Sequence, residues 1–115
     1  MPRSTRSAGR RAELRALVHY VLRGYRVLGR NVWAGGNEID LIVRRGSHVV
    51  FCEVKSKAGT GHGDPFDMVG EEKLRRVQRA AESWLAAHPE VDGLETSIEV
   101  VALRGRRLER VAAAL

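Results

Sequence analysis

Apolar residues recur along the chain with two different spacings, and these spacings predict its helices and strands. Near the N-terminus they follow intervals of three and four residues, which predicts an amphipathic helix over about residues 9 to 23. The apolar residues of this stripe are Leu14, Leu17, Val18, Val21 and Leu22. The same spacing returns over residues 71 to 87, where Glu71 and Glu72 suit the beginning of a helix because they complement its dipole.

Short apolar segments outside these helices have the composition of strands. They span residues 25 to 28, 37 to 45, 48 to 56 and 97 to 103. Residues 29 to 36, which include Trp33, and the glycine-rich residues 58 to 65 are predicted to be loops. The order α-β-β-β-α-β predicts an α/β fold, with a small mixed sheet flanked by helices and an arginine-rich C-terminal tail.

The length and composition indicate one compact domain with an ordinary core. The chain has 115 residues, 43% of them hydrophobic and 30% charged. We expect residues 1 to 11 to form a flexible basic tail and residues 12 to 115 a single domain. The sequence has neither a membrane-spanning apolar run nor a secretory signal, and its single cysteine, Cys52, fits a reducing compartment. A cytoplasmic protein without a membrane partner is therefore expected.

The charge of the chain adds a candidate partner. Twenty Lys and Arg residues against fourteen Asp and Glu residues give a net charge of +6. Arginine and lysine cluster before Glu13, in the second predicted helix and near the C-terminus. Such a surface attracts phosphate backbones through counterion release, which predicts a nucleic-acid partner. Many small basic proteins bind nucleic acid without specificity or not at all, so charge alone leaves this prediction open.

The second and third predicted strands are joined by a tight hairpin. The dipeptide Gly46-Ser47 has glycine at the first central position, as a type II′ turn requires. This turn places Asp40 opposite Glu53, and it also places Glu38 opposite Lys55. Alternation puts these charged side chains on one face of the hairpin. The other face is apolar and is predicted to be core: Ile39, Leu41, Val43, Val50, Cys52 and Val54.

Two directly opposed carboxylates are unusual in a sheet because like charges about 5 Å apart destabilise it. A shared proton or a bound cation would offset that cost, and Mg²⁺ or Mn²⁺ is the kind of cation that takes oxygen ligands. Lys55 could then orient a water or stabilise developing negative charge, as in metal-assisted phosphodiester hydrolysis. A solvated face with a Glu38–Lys55 ion pair explains the same spacing, and a register shifted by one residue would separate the two carboxylates.

The motifs of this region together resemble a known family. They are GYRVLGRN, GNEIDLI, VVFCEVKSK and EEKLRRVQRAAESWL, with an Asp and a Glu-x-Lys separated by twelve residues. This pattern resembles the YraN-like family of small bacterial proteins, within the PD-(D/E)xK nuclease superfamily, over about residues 12 to 112. The resemblance implies a restriction-endonuclease-like core, similar to that of archaeal Holliday-junction resolvases, and a site for Mg²⁺ or Mn²⁺.

The resemblance also implies roles for individual residues. Asp40 and Glu53 match the metal-binding acids of the superfamily, and Lys55 matches its catalytic lysine. Glu13 matches a helical acid that some members use as a further metal ligand. The chain departs from the family pattern before this acid, where Ala12 replaces a glycine.

Several residues are candidates for contact with nucleic acid. They are Arg10, Arg11, Lys57, Lys73, Arg76 and Gln78. Gln78 lies on the apolar stripe of its helix, where it could hold a phosphate or cap a buried backbone group. Lys73 at the start of the same helix could contact phosphate or be solvated.

The sequence therefore predicts a metal-dependent nuclease acting on DNA. Branched or flapped DNA is the substrate class that the resolvase-like relatives suggest, and symmetric cutting of a junction would require a homodimer. One alternative is a nucleic-acid-binding module without activity, serving as an adaptor in DNA repair or recombination. Another is a partner-binding protein whose basic segments dock on an acidic protein surface.

Overall fold

The computed structural model describes the backbone of residues 2 to 56 and 69 to 114, and the side chains of residues 9 to 56 and 69 to 113. The elements are α1 (Pro2–Leu22), β1 (Arg26–Ala34), β2 (Asn37–Arg45), β3 (His48–Ser56), α2 (Glu71–Ala86), a 3-10 turn (Pro89–Val91), β4 (Glu95–Arg104) and β5 (Arg107–Ala114). The α/β class with a mixed sheet is confirmed. Neither α-helix in the described part of the chain has the length and apolar character needed to cross a bilayer.

The five strands form one sheet in the order β1-β2-β3-β4-β5. Neighbouring strands are antiparallel except β3 and β4, which are parallel. A parallel pair needs a crossover, and the connection that contains α2 supplies it. β3 is the central strand of this order, and its residues 49 to 53 are all buried.

The sheet is covered by a helix on each face. On the α2 side, the cluster of buried residues is Ile39, Ile42, Val49, Phe51, Val77, Ala80, Ala81, Trp84, Val91 and Ile98. On the α1 side, it is Ala16, Tyr20, Tyr25, Leu41, Val43, Val50, Cys52 and Val101. Both faces of the β2–β3 hairpin are thus core along most of its length, whereas the sequence predicted only one apolar face. Its acidic residues, Glu38, Asp40 and Glu53, lie at the end away from the turn.

Helix α1 is present and begins at Pro2, before the predicted start near residue 9, but of its apolar stripe only Leu17 packs against the sheet. The exposed fractions of Leu14, Val18, Val21 and Leu22 are 51%, 44%, 46% and 77%. The buried side is instead made by alanines and a tyrosine: Ala12, Ala16 and Tyr20. Small side chains bring the helix close to the sheet, and a tyrosine can place its ring in the core while its hydroxyl reaches a polar partner.

Strand β1 occupies most of the segment that was predicted to be a loop. Its pairing with β2 shifts by one residue between Val27 and Gly29, and Asn31 has a φ of 49°. A Cβ atom at Gly29 would lie 2.5 Å from Cγ2 of Val32, so this position requires glycine. Glycine and asparagine are typical of loops, and for this reason the sequence pattern missed an irregular edge strand.

Strand β5 was also missed, since its sequence RLERVAAA reads as a charged tail. It pairs with β4 from Arg104–Arg107 to Ser97–Ala114. Its Arg110 was counted in a basic cluster, yet it is engaged inside the fold on the α1 side. The guanidinium donates from Nε to Oε1 of Glu99 at 2.8 Å and from Nη2 to Oε2 at 3.1 Å.

Candidate active site

The β2–β3 hairpin has the predicted register. Residues 46 and 47 form the turn, with a φ of 60° at the glycine, and Arg45 lies opposite His48. Regular pairing continues to Leu41 and Cys52. The next residues along the two strands are Asp40 and Glu53, so the two acids stand at the end of the regular ladder.

At Asp40 the ladder changes from backbone to side-chain pairing. The backbone N–H of Val54 donates to Oδ2 of Asp40 at 2.8 Å, although the continued register would place Val54 opposite Ile39. Strict alternation also fails at this point. Ile39 packs with Ile42 on the α2 side, whereas Leu41 packs on the α1 side. The sequence placed Ile39 and Leu41 on one face, and this irregularity of β2 at the carboxylate corrects it.

Glu53 is a buried acid on the central strand. Its exposed fraction is 6%, and within the described part of the chain its Oε1 has no hydrogen-bond partner. Burial raises the pKa of Glu53 to about 7, and the negative charge of Asp40 acts in the same direction. A buried carboxylate oxygen without a partner costs free energy, so this atom is available to a ligand.

The half-buried Asp40 is strained electrostatically in the same way. Burial, together with the charges of Glu13 and Glu38, raises its pKa to about 6. The N–H of Val54 and the charge of Lys73 oppose the shift. Negative charges therefore lie close together at a site where burial already disfavours a charge. A bound cation would reduce both the repulsion between the acids and the cost of burying them.

Two lysines lie near the acid pair. Lys55 follows Glu53 by two residues on β3, on the same side of the strand, and is exposed. Lys73, in the first turn of α2, is half-buried and acts electrostatically on both Asp40 and Glu53. Sequence reasoning considered Lys73 only for phosphate contact or solvation, because nothing local links the start of α2 to the hairpin.

Glu13 reaches the site from α1. It is half-buried and accepts a hydrogen bond of 2.9 Å from Nδ2 of Asn31 on β1. Both side chains line a cavity of about 370 Å³ beside the hairpin, together with Gly9, Arg10 and Glu38. Sequence reasoning missed Asn31, and the one available signal was that asparagine tolerates a left-handed backbone better than most residues.

The residues present suit a hard divalent cation at the acid pair. Asp40 and the unpartnered Oε1 of Glu53 offer oxygen donors on adjacent strands. Mg²⁺ and Mn²⁺ are held by one or two carboxylates and keep several waters, so two acids are enough. Within the described residues, no group of three or more His, Cys, Asp or Glu side chains is close enough to hold a metal. Glu13 is thus a neighbour of the pair and not part of a formed three-acid cluster.

The residues expected to contact nucleic acid are spread over two elements. Arg10 lines the cavity and Arg11 is exposed on α1. Arg76 is exposed on α2, where it pairs with the glutamate one turn earlier, and Gln78 is half-buried. Lys57 lies outside the described residues.

Similarity to other proteins covers nearly the whole chain. The model of the uncharacterised protein family UPF0102 matches residues 12 to 111. The chain is 42% identical to the UPF0102 protein of Methylorubrum extorquens over 94% of this chain and 83% of that relative. It is 38% identical to a UPF0102 protein of Frankia casuarinae over 80% and 78%, and 35% identical to that of Syntrophotalea carbinolica over 87% and 80%. The YraN-like resemblance is thereby confirmed, and the chain belongs to the UPF0102 family.

Proposed function

We propose that this chain is a divalent-cation-dependent nuclease that hydrolyses phosphodiester bonds of DNA. The observation that carries the proposal is the buried, unpartnered Oε1 of Glu53 beside Asp40 at the end of the β2–β3 ladder. A structural acid would be expected to have its buried oxygens satisfied by the protein. Two neighbouring acids, Asp40 and Glu53, with one carboxylate oxygen that has no hydrogen-bond partner fit a cation site.

Asp40 and Glu53 would hold Mg²⁺ or Mn²⁺. When bound, such an ion lowers the pKa of a coordinated water and neutralises charge on the phosphate. The exposed amine of Lys55 would orient the attacking water or donate to the phosphate oxygen on which charge develops. Lys73 would add a second positive charge at the same end of the hairpin, where its charge already opposes the rise in the pKa of both acids.

The DNA backbone would be held by the basic surface around this site. Arg10 on α1 lines the cavity, Arg11 is exposed on the same helix, and Arg76 is exposed on α2. Branched or flapped DNA is the substrate class suggested by the resolvase-like resemblance. Symmetric cutting of a four-way junction needs two active sites, so a homodimer is proposed for that substrate, and sedimentation of the protein–junction complex would test it.

The proposal is tested with labelled single-stranded, duplex, flapped and four-way DNA at low salt, in Mg²⁺, Mn²⁺ or EDTA. We expect cleavage that requires the cation and is lost in Asp40→Asn, because the variant keeps the shape of the side chain and removes its charge. Glu82→Gln, an exposed acid on α2, is the matched control and should cut normally. Cleavage that persists in EDTA or in Asp40→Asn would contradict the assignment.

A DNA-binding module without activity is the second candidate function. It is favoured by one observation: among the described residues, no third acid groups with Asp40 and Glu53. For such a module, DNA affinity would fall steeply with salt and would not respond to divalent cations beyond their screening effect. Junction binding measured in Mg²⁺ and in EDTA at matched ionic strength separates the two candidates.

A further inference from the structure

The backbone of Asn31 is unusual for an edge strand. Among the residues that the structure describes, it is the one non-glycine with a positive φ, at 49°. Asparagine is one of the few residues for which this left-handed conformation is tolerable, but it is still disfavoured. A conformation of this kind persists only where the surrounding structure requires it, which makes it a reason to look for a role.

The side chain of Asn31 shows what the conformation achieves. Gly29 and Val32 approach each other closely in β1, and Asn31 lies between them in sequence. From this position its Nδ2 donates to Oε1 of Glu13 at 2.9 Å, linking β1 to α1 across 18 residues of chain. The hydrogen bond engages one carboxylate oxygen of Glu13 and restricts the rotamer of a side chain that is only half-buried.

The glutamate held in this way acts on the proposed cation site. Glu13 and Asn31 share the wall of the 370 Å³ cavity with Glu38. Glu38 lies two residues before Asp40 on β2, so the hydrogen-bonded pair stands at the end of the hairpin that carries the acids. An ion that keeps several waters can be stabilised by such a carboxylate through those waters.

We propose that Asn31 is a positioning residue that holds Glu13 beside the Asp40–Glu53 pair, so that Glu13 strengthens the binding of the divalent cation. This inference rests on the proposed function, because it needs a cation at that pair. It assigns Asn31 no contact with DNA or with the reacting atoms. Its effect passes through the carboxylate of Glu13.

The test measures Mn²⁺ affinity by electron paramagnetic resonance, without DNA, in the wild-type chain and in Asn31→Gly, Glu13→Gln and the double variant. Glycine accepts the positive φ, so the variant removes the side chain of Asn31 and with it the amide donor, while the backbone conformation stays allowed. We expect Asn31→Gly to weaken Mn²⁺ binding about 10-fold, the scale of losing a group that orients a metal ligand. Glu13→Gln should weaken it at least as much. The double variant should be no weaker than Glu13→Gln, because Asn31 acts through Glu13.

The melting temperature in EDTA shows whether the Asn31–Glu13 hydrogen bond only stabilises the fold. If Asn31→Gly melts lower than wild type while its Mn²⁺ affinity is unchanged, the hydrogen bond only ties α1 to β1 and the proposal is overturned. Additive losses in the double variant would overturn it as well, since the two residues would then act independently.

Asp40→Asn separates this inference from the proposed function. Loss of Mn²⁺ binding in Asp40→Asn with normal binding in Asn31→Gly removes only the role of Asn31. Normal Mn²⁺ binding in Asp40→Asn would mean that the acid pair is not the cation site, and both proposals would be withdrawn.

Discussion

At the scale of single residues, two buried glutamates of one sheet differ in how their charge is satisfied. Glu99 accepts two hydrogen bonds from Arg110 and one of 2.5 Å from the hydroxyl of Tyr20. Glu53 is equally buried, at 6% exposure, but its Oε1 has no partner among the described residues, and the charge that acts on it most strongly is that of the carboxylate of Asp40. Glu99 is thus stabilised by the fold itself, whereas no described residue does the same for Oε1 of Glu53.

The uncompensated charge of Glu53 should make the stability of the cation-free protein depend on pH. The folded-state pKa of Glu53, about 7, lies above its ordinary value of 4.5, so its ionisation destabilises the fold progressively as pH rises between those values. Glu53→Gln should therefore raise the free energy of unfolding at pH 8 by on the order of 1–3 kcal/mol, since one pKa unit is worth about 1.4 kcal/mol.

The measurement is urea unfolding in EDTA at pH 5 and pH 8. The gain from Glu53→Gln should nearly vanish at pH 5, where the folded wild-type side chain is already protonated. Glu82→Gln serves as the exposed control and should change little at either pH. A variant that is less stable than wild type at pH 8 would refute the destabilising charge.

Lys55 makes a separate prediction because it lies beside the acids without being one of the proposed ligands. Lys55→Met should lower the rate of cleavage on the order of 100-fold, the usual cost of removing one group that stabilises transition-state charge. Mn²⁺ affinity should not fall, since the variant removes a positive charge. Single-turnover cleavage and Mn²⁺ titration of the same variant check both parts, and an unchanged rate would remove Lys55 from the mechanism.

At the scale of elements, the polar network under α1 joins segments that the sequence keeps far apart. Arg110 of β5 contacts Glu99 of β4, and its guanidinium lies 4.6 Å from the ring centre of Tyr20 in α1. Although desolvation would raise it, the pKa of Glu99 is held below its usual range by the hydrogen bonds from Arg110. This network fixes α1 against β4 and β5, and thereby also the position from which Glu13 approaches the hairpin.

Removing Arg110 should therefore destabilise the protein strongly. Arg110→Leu leaves Glu99 buried without its counter-charge, and we expect a loss of about 3 kcal/mol at pH 7. The pKa of Glu99 is lower in the folded protein than in the unfolded chain, so its ionised carboxylate stabilises the fold above the unfolded-state pKa but not in acid. The loss of stability caused by Arg110→Leu should therefore shrink as pH falls through 4.

Urea unfolding of Arg110→Leu, Glu99→Gln and the double variant at pH 7 and pH 4 measures this coupling. The double variant should recover part of the loss, since no uncompensated charge remains. Arg107→Leu is the control on the same strand, because the side chain of Arg107 is 80% exposed. Equal losses in the Arg107 and Arg110 variants would contradict a stabilising role of the Arg110–Glu99 ion pair.

At the scale of the whole molecule, the excess of positive charge should govern DNA affinity. A net charge of +6 attracts the phosphate backbone, and each phosphate neutralised adds about 0.9 to the slope of log affinity against log salt. Replacing Arg10 and Arg11 together by alanine should lower that slope by about 1–2 if both contact phosphate. Fluorescence anisotropy between about 50 and 200 mM salt measures the slope, since a protein with about 6–10 phosphate contacts loses about 10³–10⁵-fold in affinity over that range.

Arg23 and Arg26 provide the control for this measurement. Both are exposed, and they lie at the far end of α1 and the start of β1, away from the cavity. Their double alanine variant removes the same charge but should leave the slope nearly unchanged. Equal effects of the two double variants would mean that net charge alone determines affinity.

The sequence by itself determined the features that depend on neighbouring residues. The spacing of apolar residues located both helices, and the turn chemistry of residues 46 and 47 set the hairpin register. Register in turn placed Asp40 next to Glu53, because side-chain alternation and tight turns are local rules. The chemistry of the candidate site could therefore be proposed before any fold was known.

Only the tertiary structure decided what depends on distant segments. It turned Ala12, Ala16 and Tyr20 of α1 toward the sheet instead of the apolar stripe, and it added β1 and β5 at the edges. It also joined Asn31 to Glu13. Burial and pairing across many residues depend on how surfaces fit in three dimensions, and the free energy of that fit outweighs the weak local preferences that a sequence pattern records.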